Sequence, residues 1–277
     1  MTVQKDSSRE TLDGWTNPDK TKELSRADIF SDEALKLHHK KRNKEALTLI
    51  NLAIEKNQSK SDYYNTKGLI LHNLHKYSES LKAFDKSLEM EFREEILLNK
   101  INMLYAWANS LNDKNRALEL INQAIENTAF IESDLDMEKF WYLKGSILDC
   151  LGEKVDSKKC YMIAENLQDE ITELDEHSEY IKSTSDTLIC ITGTQFYQSY
   201  DLIREGLIVD LIKEDDNEHD SDAIRVEVDG LTVGYVANSP HTLIEGVKSA
   251  SDIRDTASAK AEIMFLYLYE YIIAKLI

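Results

Sequence analysis

Residues 68–87 read GLILHNLHKYSESLKAFDKS. The stretch has a small residue at its start and then the pattern small–x3–large–x2–small, which recurs between about residues 27 and 168. Small residues at fixed helical positions let two helices approach closely, and the large residue fills the space between them. The sequence therefore predicts tandem pairs of antiparallel helices. The matching positions are Ala34, Ala46, Ile50 and Ala53; Gly68, Ser80, Phe84 and Ser87; Ala117, Ile121 and Ala124; and Gly145, Ser157, Tyr161 and Ala164.

The 34-residue spacing of the first two copies resembles that of the tetratricopeptide repeat, and the resemblance spans about half of the chain. Three departures are visible. Asn102 stands at the small position of the third copy, no proline follows the second helices, and acidic residues around 132–138 precede the fourth copy. The resemblance implies an all-α superhelix with a concave groove that binds an extended peptide or a helix of another protein.

Asn65 and Asn99 lie 34 residues apart, at equivalent positions of successive first helices. An amide both donates and accepts hydrogen bonds, so this pair is the candidate contact with a peptide backbone in the groove. The alternative interpretation is two solvated amides on helix surfaces. A row of Lys and Arg that would clamp a C-terminal carboxylate is not evident, which disfavours a receptor for chaperone tails.

Turn-forming residues concentrate in the last third of the chain, where five of the nine glycines lie. Asp229-Gly230 predicts a two-residue hairpin, and Ser239 followed by Pro240 predicts a helix over 240–250. Residues 259–273 are expected to form a closing strand, with a terminal helix over 265–276 as the alternative. This pattern predicts a small, partly closed barrel with one or two helices. The other predicted strands are Thr187–Thr192, Leu207–Ile212, Ala223–Val228 and Thr232–Val236.

Several motifs in this region together resemble the HIRAN domain over about 90 residues. They are Gly193-Thr194-x-Phe196-Tyr197, Leu207-x-Val209-x-Leu211, the run from Glu214 to Val226, and Gly234-Tyr235-Val236. The resemblance implies an OB-like barrel. In fork-remodelling helicases, this domain holds the 3′ end of single-stranded DNA.

The resemblance also implies a set of binding residues. An aromatic pair stacks on the terminal bases, and an Asp meets the 3′-hydroxyl. The corresponding positions here are Gln195, Phe196, Tyr197, Asn217, His219 and Asp220.

The chain departs from the DNA-binding pattern at three of these motif positions. Gln195 replaces a basic residue, and Asp216 and Glu218 replace the usual prolines of the acidic loop. The alternative interpretation is structural: the aromatic pair belongs to the core or its rim, and Asn217 and Asp220 only cap a loop.

The charge balance limits any nucleic-acid binding. The net charge is −18, and residues 186–277 alone carry seven basic and 17 acidic residues. An acidic surface repels bare phosphate backbones, so binding would be local or directed at a strand end.

No catalytic residue set, cofactor or metal site is expected. The sequence lacks a phosphate-binding loop, an HExxH motif and a nucleophile elbow. The acidic loop 215–222 lacks the spacing and the central glycine of a calcium-binding loop. The three cysteines lack a CxxC spacing and the N-terminus has no apolar signal segment, which favours a reduced, cytoplasmic setting. The apolar stretch 261–277 is interrupted by charges and short for a membrane span.

The sequence thus predicts an α+β protein with two domains. Residues 1–26 are expected to be a flexible leader or cap, 27–176 about four repeat pairs with a capping helix, 177–185 a linker, and 186–277 a HIRAN-like domain. The predicted function is a non-enzymatic adaptor that binds a protein in the groove and, through the barrel, a single-stranded DNA 3′ end. One alternative is a protein–protein interaction scaffold without nucleic-acid binding. A third hypothesis is a helper subunit of a nuclease or helicase.

Overall fold

The computed structural model describes residues 25–197, 201–239, 242–255, 259–268 and 271–277. The expected leader at 1–26 lies outside the described residues except for its last two, and Pro240 lies outside them as well. By its internal contacts the chain divides into two compact units, Met1–Leu135 and Asp136–Ile277. We call these the helical unit and the barrel unit.

Four antiparallel helix pairs confirm the predicted repeats. The first three pairs form the helical unit, in which each helix packs on the next along the chain. The fourth pair and the last long helix, α9, belong to the barrel unit. The helices are α1 (Arg26–His39), α2 (Asn43–Lys56), α3 (Ser61–Asn73), α4 (Tyr77–Met90), α5 (Glu94–Ser110), α6 (Lys114–Thr128), α7 (Glu138–Leu151), α8 (Lys154–Ala164) and α9 (Gln168–Ser183).

The small residues of the repeat lie where the two helices of a pair come closest. A Cβ atom added to Gly68 would lie 2.6 Å from the ring of Phe84, so only glycine fits against that ring. The buried hydroxyls of Ser80 and Ser87 donate to the carbonyl oxygens of Gly68 and Ser61, at 2.7 and 2.8 Å. These bonds satisfy the polar groups that close packing buries.

Six antiparallel strands form a closed barrel, in the order β1-β4-β3-β2-β5-β6. The closure is complete because β1 pairs with both β4 and β6, whereas the sequence predicted a partly closed barrel. The predicted Asp229-Gly230 hairpin joins β3 to β4, and both of its residues have positive φ. The strands are β1 (Leu188–Thr192), β2 (Ile208–Lys213), β3 (Ile224–Val228), β4 (Leu231–Val236), β5 (Lys260–Tyr267) and β6 (Tyr271–Leu276).

Two expectations for the end of the chain were wrong. The described part of 240–250 is not helical up to Ser249. Gly246 has φ +96°, and helix α10 (Ala250–Ile253) starts later, with Ser249 and Asp252 forming a capping box. The expected closing strand at 259–273 is instead divided into two paired strands, β5 and β6, and none of the described residues of 265–276 is helical.

Strand β1 is buried on both faces. Ile189 and Ile191 point into the barrel, and Leu188 and Cys190 join a second core that contains Leu174 of α9. Helix α9 therefore covers one side of the barrel and extends to Ser183, into the range where the sequence predicted a linker.

Two ring and hydroxyl contacts fix α9 on β5. The ring of His177 stacks on Phe265 with centroids 3.9 Å apart, and Ser178 Oγ lies 2.8 Å from Tyr267 Oη. The predicted domain boundary at 177–185 stays a prediction, but the packing shows that α9 and the barrel share one core.

We expect Gly68→Ala to destabilise the helical unit by up to about 2 kcal/mol. Overpacking against Phe84 costs about 1–3 kcal/mol and exceeds the gain of about 1 kcal/mol in helix propensity. Chemical denaturation of the full chain measures the change. In a Phe84→Leu background the same Gly68→Ala change should cost less. An equal cost in both backgrounds would show that the ring is not the cause.

We expect a fragment of residues 186–277 to be far less stable than a fragment of residues 136–277. Without α9, the shorter fragment exposes Leu188, Cys190 and Phe265 to water, and each large buried side chain contributes about 1.5–3 kcal/mol. Thermal unfolding followed by circular dichroism compares the two. Equal midpoints would contradict a shared core.

Candidate functional site

A 3-10 turn presents the aromatic pair at the end of β1. Gly193 has φ +74°, a conformation that favours glycine, and turns the chain out of the strand. Thr194 is buried and its carbonyl accepts from the backbone N–H of Tyr197 at 3.0 Å. The turn leaves Phe196 80 % exposed, Gln195 exposed and Tyr197 half-buried. Phe196 is therefore a surface residue rather than a core residue.

The aromatic surface continues from the turn onto the barrel wall. The rings of Tyr197 and Tyr235 lie 6.4 Å apart in a tilted arrangement. Tyr235 lies on β4 opposite Arg225 of β3, so the two side chains share the outer face of the sheet.

Glu214 joins this wall to the acidic loop. Its carboxylate accepts from the Arg225 guanidinium, from Tyr235 Oη at 3.2 Å and from Asn217 Nδ2 at 2.7 Å. Burial, together with the charge of Glu214, raises the pKa of Tyr235 to about 12. The phenol is therefore a neutral hydrogen-bond donor throughout the physiological range.

Asn217 and Asp220 brace the loop from within. Asn217 Oδ1 accepts from the backbone N–H groups of His219 and Asp220, at 2.9 and 3.1 Å. The Asp220 carboxylate accepts from the backbone N–H of Asp222 at 2.9 Å and from Asn238 Nδ2 at 3.0 and 3.1 Å. The loop-capping bonds of the alternative interpretation are thus present.

Helix α10 holds the far side of the same loop. Ser251 Oγ lies 2.7 Å from Asn238 Oδ1 and 2.8 Å from Asp222 Oδ2. The Arg254 guanidinium donates to Asp215 at 2.5 Å. The loop 214–223 is therefore anchored at both ends, which fixes the position of Asp220.

The structure brings four of the predicted residues close together. Asn217 and Asp220 are hydrogen-bonded through Glu214 to Tyr235, whose ring contacts that of Tyr197. Phe196 precedes Tyr197 in the turn, and no hydrogen bond or ring contact is found between its side chain and the other three in the described part of the chain. Gln195 and His219 are exposed beside this arrangement, and His219 contributes its backbone N–H.

The two candidate groove residues lie in the helical unit. Asn99 Nδ2 donates to Asn65 Oδ1 at 3.2 Å, and both amides are half-buried. Asn65 Oδ1 and Asn99 Nδ2 are therefore hydrogen-bonded to each other.

Four residues that hold the site together were not among the site residues predicted from the sequence. They are Glu214, Arg225, Tyr235 and Asn238. The alternation of β3 does predict that Arg225 points outward, opposite the buried Ile224 and Val226. Nothing in the sequence links Asn238 to Asp220, because the contact joins two separate loops.

The electrostatic character of this face is acidic. Glu214, Asp215, Asp216, Glu218, Asp220 and Asp222 lie within nine residues, and Arg225 and Arg254 are the cations that contact them in the described part. Among the described residues, no group of three or more His, Cys, Asp or Glu side chains is placed to hold a metal ion. Nor does any helix in the described ranges have the length and apolar character of a membrane span.

Comparison with known proteins finds a family match for the first four strands of the barrel. Residues 186–242 match the family model of the HIRAN domain, a range that contains β1–β4 and every predicted site residue of the barrel. This match confirms the resemblance seen in the sequence. No curated protein was found to match the chain.

The helical region is similar in fold to solved helical-repeat structures. One is MamA from Desulfovibrio magneticus, at 14 % identity over 56 % of this chain and 93 % of that chain, with a TM-score of 0.37. A thermophilic TPR protein of Thermus thermophilus matches at 14 % identity over 50 % and 75 %, with a TM-score of 0.32. PilF of Pseudomonas aeruginosa matches at 14 % identity over 56 % and 71 %, with a TM-score of 0.34. Because these TM-scores are low, the assignment of the repeats rests on the helix pairs of this structure and not on the similarity to the solved structures.

We expect Glu214→Gln to lower the pKa of Tyr235 from about 12 toward its ordinary value of about 10. The pKa should stay above 10 because burial, the larger cause, is unchanged. The pKa of Tyr235 is higher in the folded chain than in the unfolded chain. The contribution of Tyr235 to the free energy of unfolding is therefore fully present below about pH 10 and is lost between about pH 10 and 12. Titration of 13C-labelled tyrosine by NMR measures the pKa.

Glu227→Gln is the matched control for that titration. Glu227 accepts from Arg225 at 2.8 Å, and no hydrogen bond to Tyr235 is found for it in the described structure. An equal shift in both variants would show that the loss of any nearby negative charge, rather than the loss of the Glu214 contact, lowers the pKa of Tyr235.

Proposed function

We propose that this protein is a non-enzymatic adaptor whose barrel unit, built on a HIRAN domain, binds the 3′ end of a single DNA strand. The helical unit binds a protein partner. The observation that carries the proposal is the arrangement from Phe196 and Tyr197 to Asp220, which joins a base-stacking surface to a fixed carboxylate.

Phe196 supports the stacking role because its ring is largely exposed on the turn after β1. A base that stacks on an aromatic side chain gains about 1–3 kcal/mol, with little dependence on sequence. Tyr197 and Tyr235 extend the surface on which a second base or a sugar would lie.

Asp220 supports the end-recognition role. An ionised carboxylate has about four acceptor positions, and the backbone N–H of Asp222 and the amide of Asn238 occupy part of them. The remaining capacity suits a terminal hydroxyl, which an internal nucleotide lacks. Because the loop is anchored at both ends, little entropy is lost when the hydroxyl binds.

The acidic surface argues for an end rather than a long strand as the ligand. Gln195 offers no charge to a phosphate, and Asp216 and Glu218 add repulsion. Few phosphates would then be neutralised, so we expect a weak affinity with a shallow dependence on salt.

The second candidate is a protein-interaction barrel without nucleic-acid affinity. It is favoured by the same acidic loop and by the fact that Asn217 and Asp220 have structural partners. In both candidates Asn65 and Asn99 would bind the backbone of a peptide in the helical groove, through Asn65 Nδ2 and Asn99 Oδ1. Cys160 and Cys190 are buried thiols rather than disulfide partners, which suits a reducing cytoplasm.

We expect the full chain to bind a 5′-labelled single strand with a free 3′-hydroxyl more tightly than the same strand with a 2′,3′-dideoxy end. Phe196→Ala should weaken both at least about fivefold because stacking is lost. Asp220→Asn should remove the preference for the free hydroxyl. Fluorescence anisotropy measures each affinity.

Leu231→Ala is the control for the Phe196 variant. Leu231 is an exposed apolar residue at the other end of β4, so its removal should leave binding unchanged. Equal affinity for the strand with the free 3′-hydroxyl and the strand with the dideoxy end would refute end recognition. No binding to either strand would favour the protein-interaction barrel. Thermal unfolding of every variant checks that the fold is intact.

A further inference from the structure

Two phenylalanines are strongly exposed at the same edge of the helical unit. Phe92, in the connection from α4 to α5, is 63 % exposed, and Phe130, just after α6, is 64 % exposed. Both follow the second helix of a pair, so neither lies on the first helices that would line the groove.

A hydrogen-bonded contact joins the two connections. The Glu94 carboxylate accepts from the backbone N–H of Ser133 at 2.9 Å and also from its hydroxyl. Phe92 is two residues from Glu94, and Phe130 is three residues from Ser133. The two connections that carry the phenylalanines are therefore neighbours, and we call the surface that they form the Phe92–Phe130 edge. An apolar surface of this kind, with a polar border, is typical of a protein interaction site.

The border of this edge is acidic. Within 91–95 and 126–135 there are six acidic residues and one basic residue, Arg93, which pairs with Asp62 and Glu91. Hydrogen bonds from Ser133 lower the pKa of Glu94, so this carboxylate is charged at neutral pH. The acidic residues are Glu91, Glu94, Glu95, Glu126, Glu132 and Asp134.

We propose that the Phe92–Phe130 edge binds a basic amphipathic segment of a partner protein, in which apolar side chains alternate with Lys or Arg. The apolar side chains cover the two rings, and the cations meet the surrounding carboxylates. A nucleic acid is repelled by the same charges, and a second copy of this chain would bring one acidic border against another. The inference rests on the proposed protein-binding role of the helical unit and names a surface outside the groove.

The test is fluorescence anisotropy of the full chain with a short labelled peptide of Lys and Leu in an amphipathic pattern. The double variant Phe92→Ala/Phe130→Ala should bind at least about tenfold more weakly. Glu132→Gln/Asp134→Asn should also bind more weakly and with a smaller dependence on salt. A Lys–Ser peptide of the same charge should bind the wild-type chain as weakly as the Lys–Leu peptide binds the phenylalanine variant.

Two matched controls separate the edge from other surfaces. Ile29→Ala/Leu35→Ala removes two other exposed apolar side chains of the same unit and should leave binding unchanged. Asn65→Ala/Asn99→Ala removes the candidate groove contacts and shows whether the labelled peptide binds in the groove instead of at the edge. A loss in the asparagine variant alone would overturn the edge and keep the groove, whereas equal loss in all variants would overturn both. A dimer in sedimentation that disappears in the phenylalanine variant would make a second copy the occupant and overturn the proposal.

Discussion

The burial of β1 on both faces is the constraint on which the barrel unit depends. In a strand, alternate side chains point to opposite faces, so one five-residue segment divides its side chains between two cores. Ile189 and Ile191 fill the barrel, while Leu188 and Cys190 meet α9. The same strand closes the barrel by pairing with β4 and β6, and it ends at the turn that carries Phe196. The position of the aromatic pair is thus set by the packing of two cores.

The site on this frame is held by carboxylates that serve as acceptors for the protein itself. Glu214 accepts from a guanidinium, a phenol and an amide, and Asp220 accepts from a backbone N–H and an amide. Such bonds to a charged group are stronger than neutral ones, so the loop is rigid although it is acidic. Some of the carboxylates on this surface therefore hold the loop in place. The same carboxylates make the surface unfavourable for phosphates.

Much of the fold was predictable because it depends on local patterns. Gly68 and Phe84 show the repeat since close helix packing permits few residue types there, and Asp229-Gly230 shows its hairpin since both positions need positive φ. The hairpin between β5 and β6 was missed because Leu268 adopts φ +55° without a glycine to mark it. The helix expected at 240–250 failed because Ser239 and Pro240 fit a helix start locally, whereas a capping box at Ser249 formed instead.

The candidate site was predictable only as far as family resemblance extends along the chain. The motif residues Phe196, Tyr197, Asn217 and Asp220 come together, but Asn238, Ser251 and Arg254 enter through contacts between loops that are distant in sequence. The Phe92–Phe130 edge had no signal at all, since an isolated exposed phenylalanine cannot be distinguished from a core one without the fold. In both units an exposed aromatic surface borders ionised carboxylates. In the proposed roles, apolar contact would supply affinity and charge would select the ligand, so that the same repulsion would disfavour long polyanions at either surface.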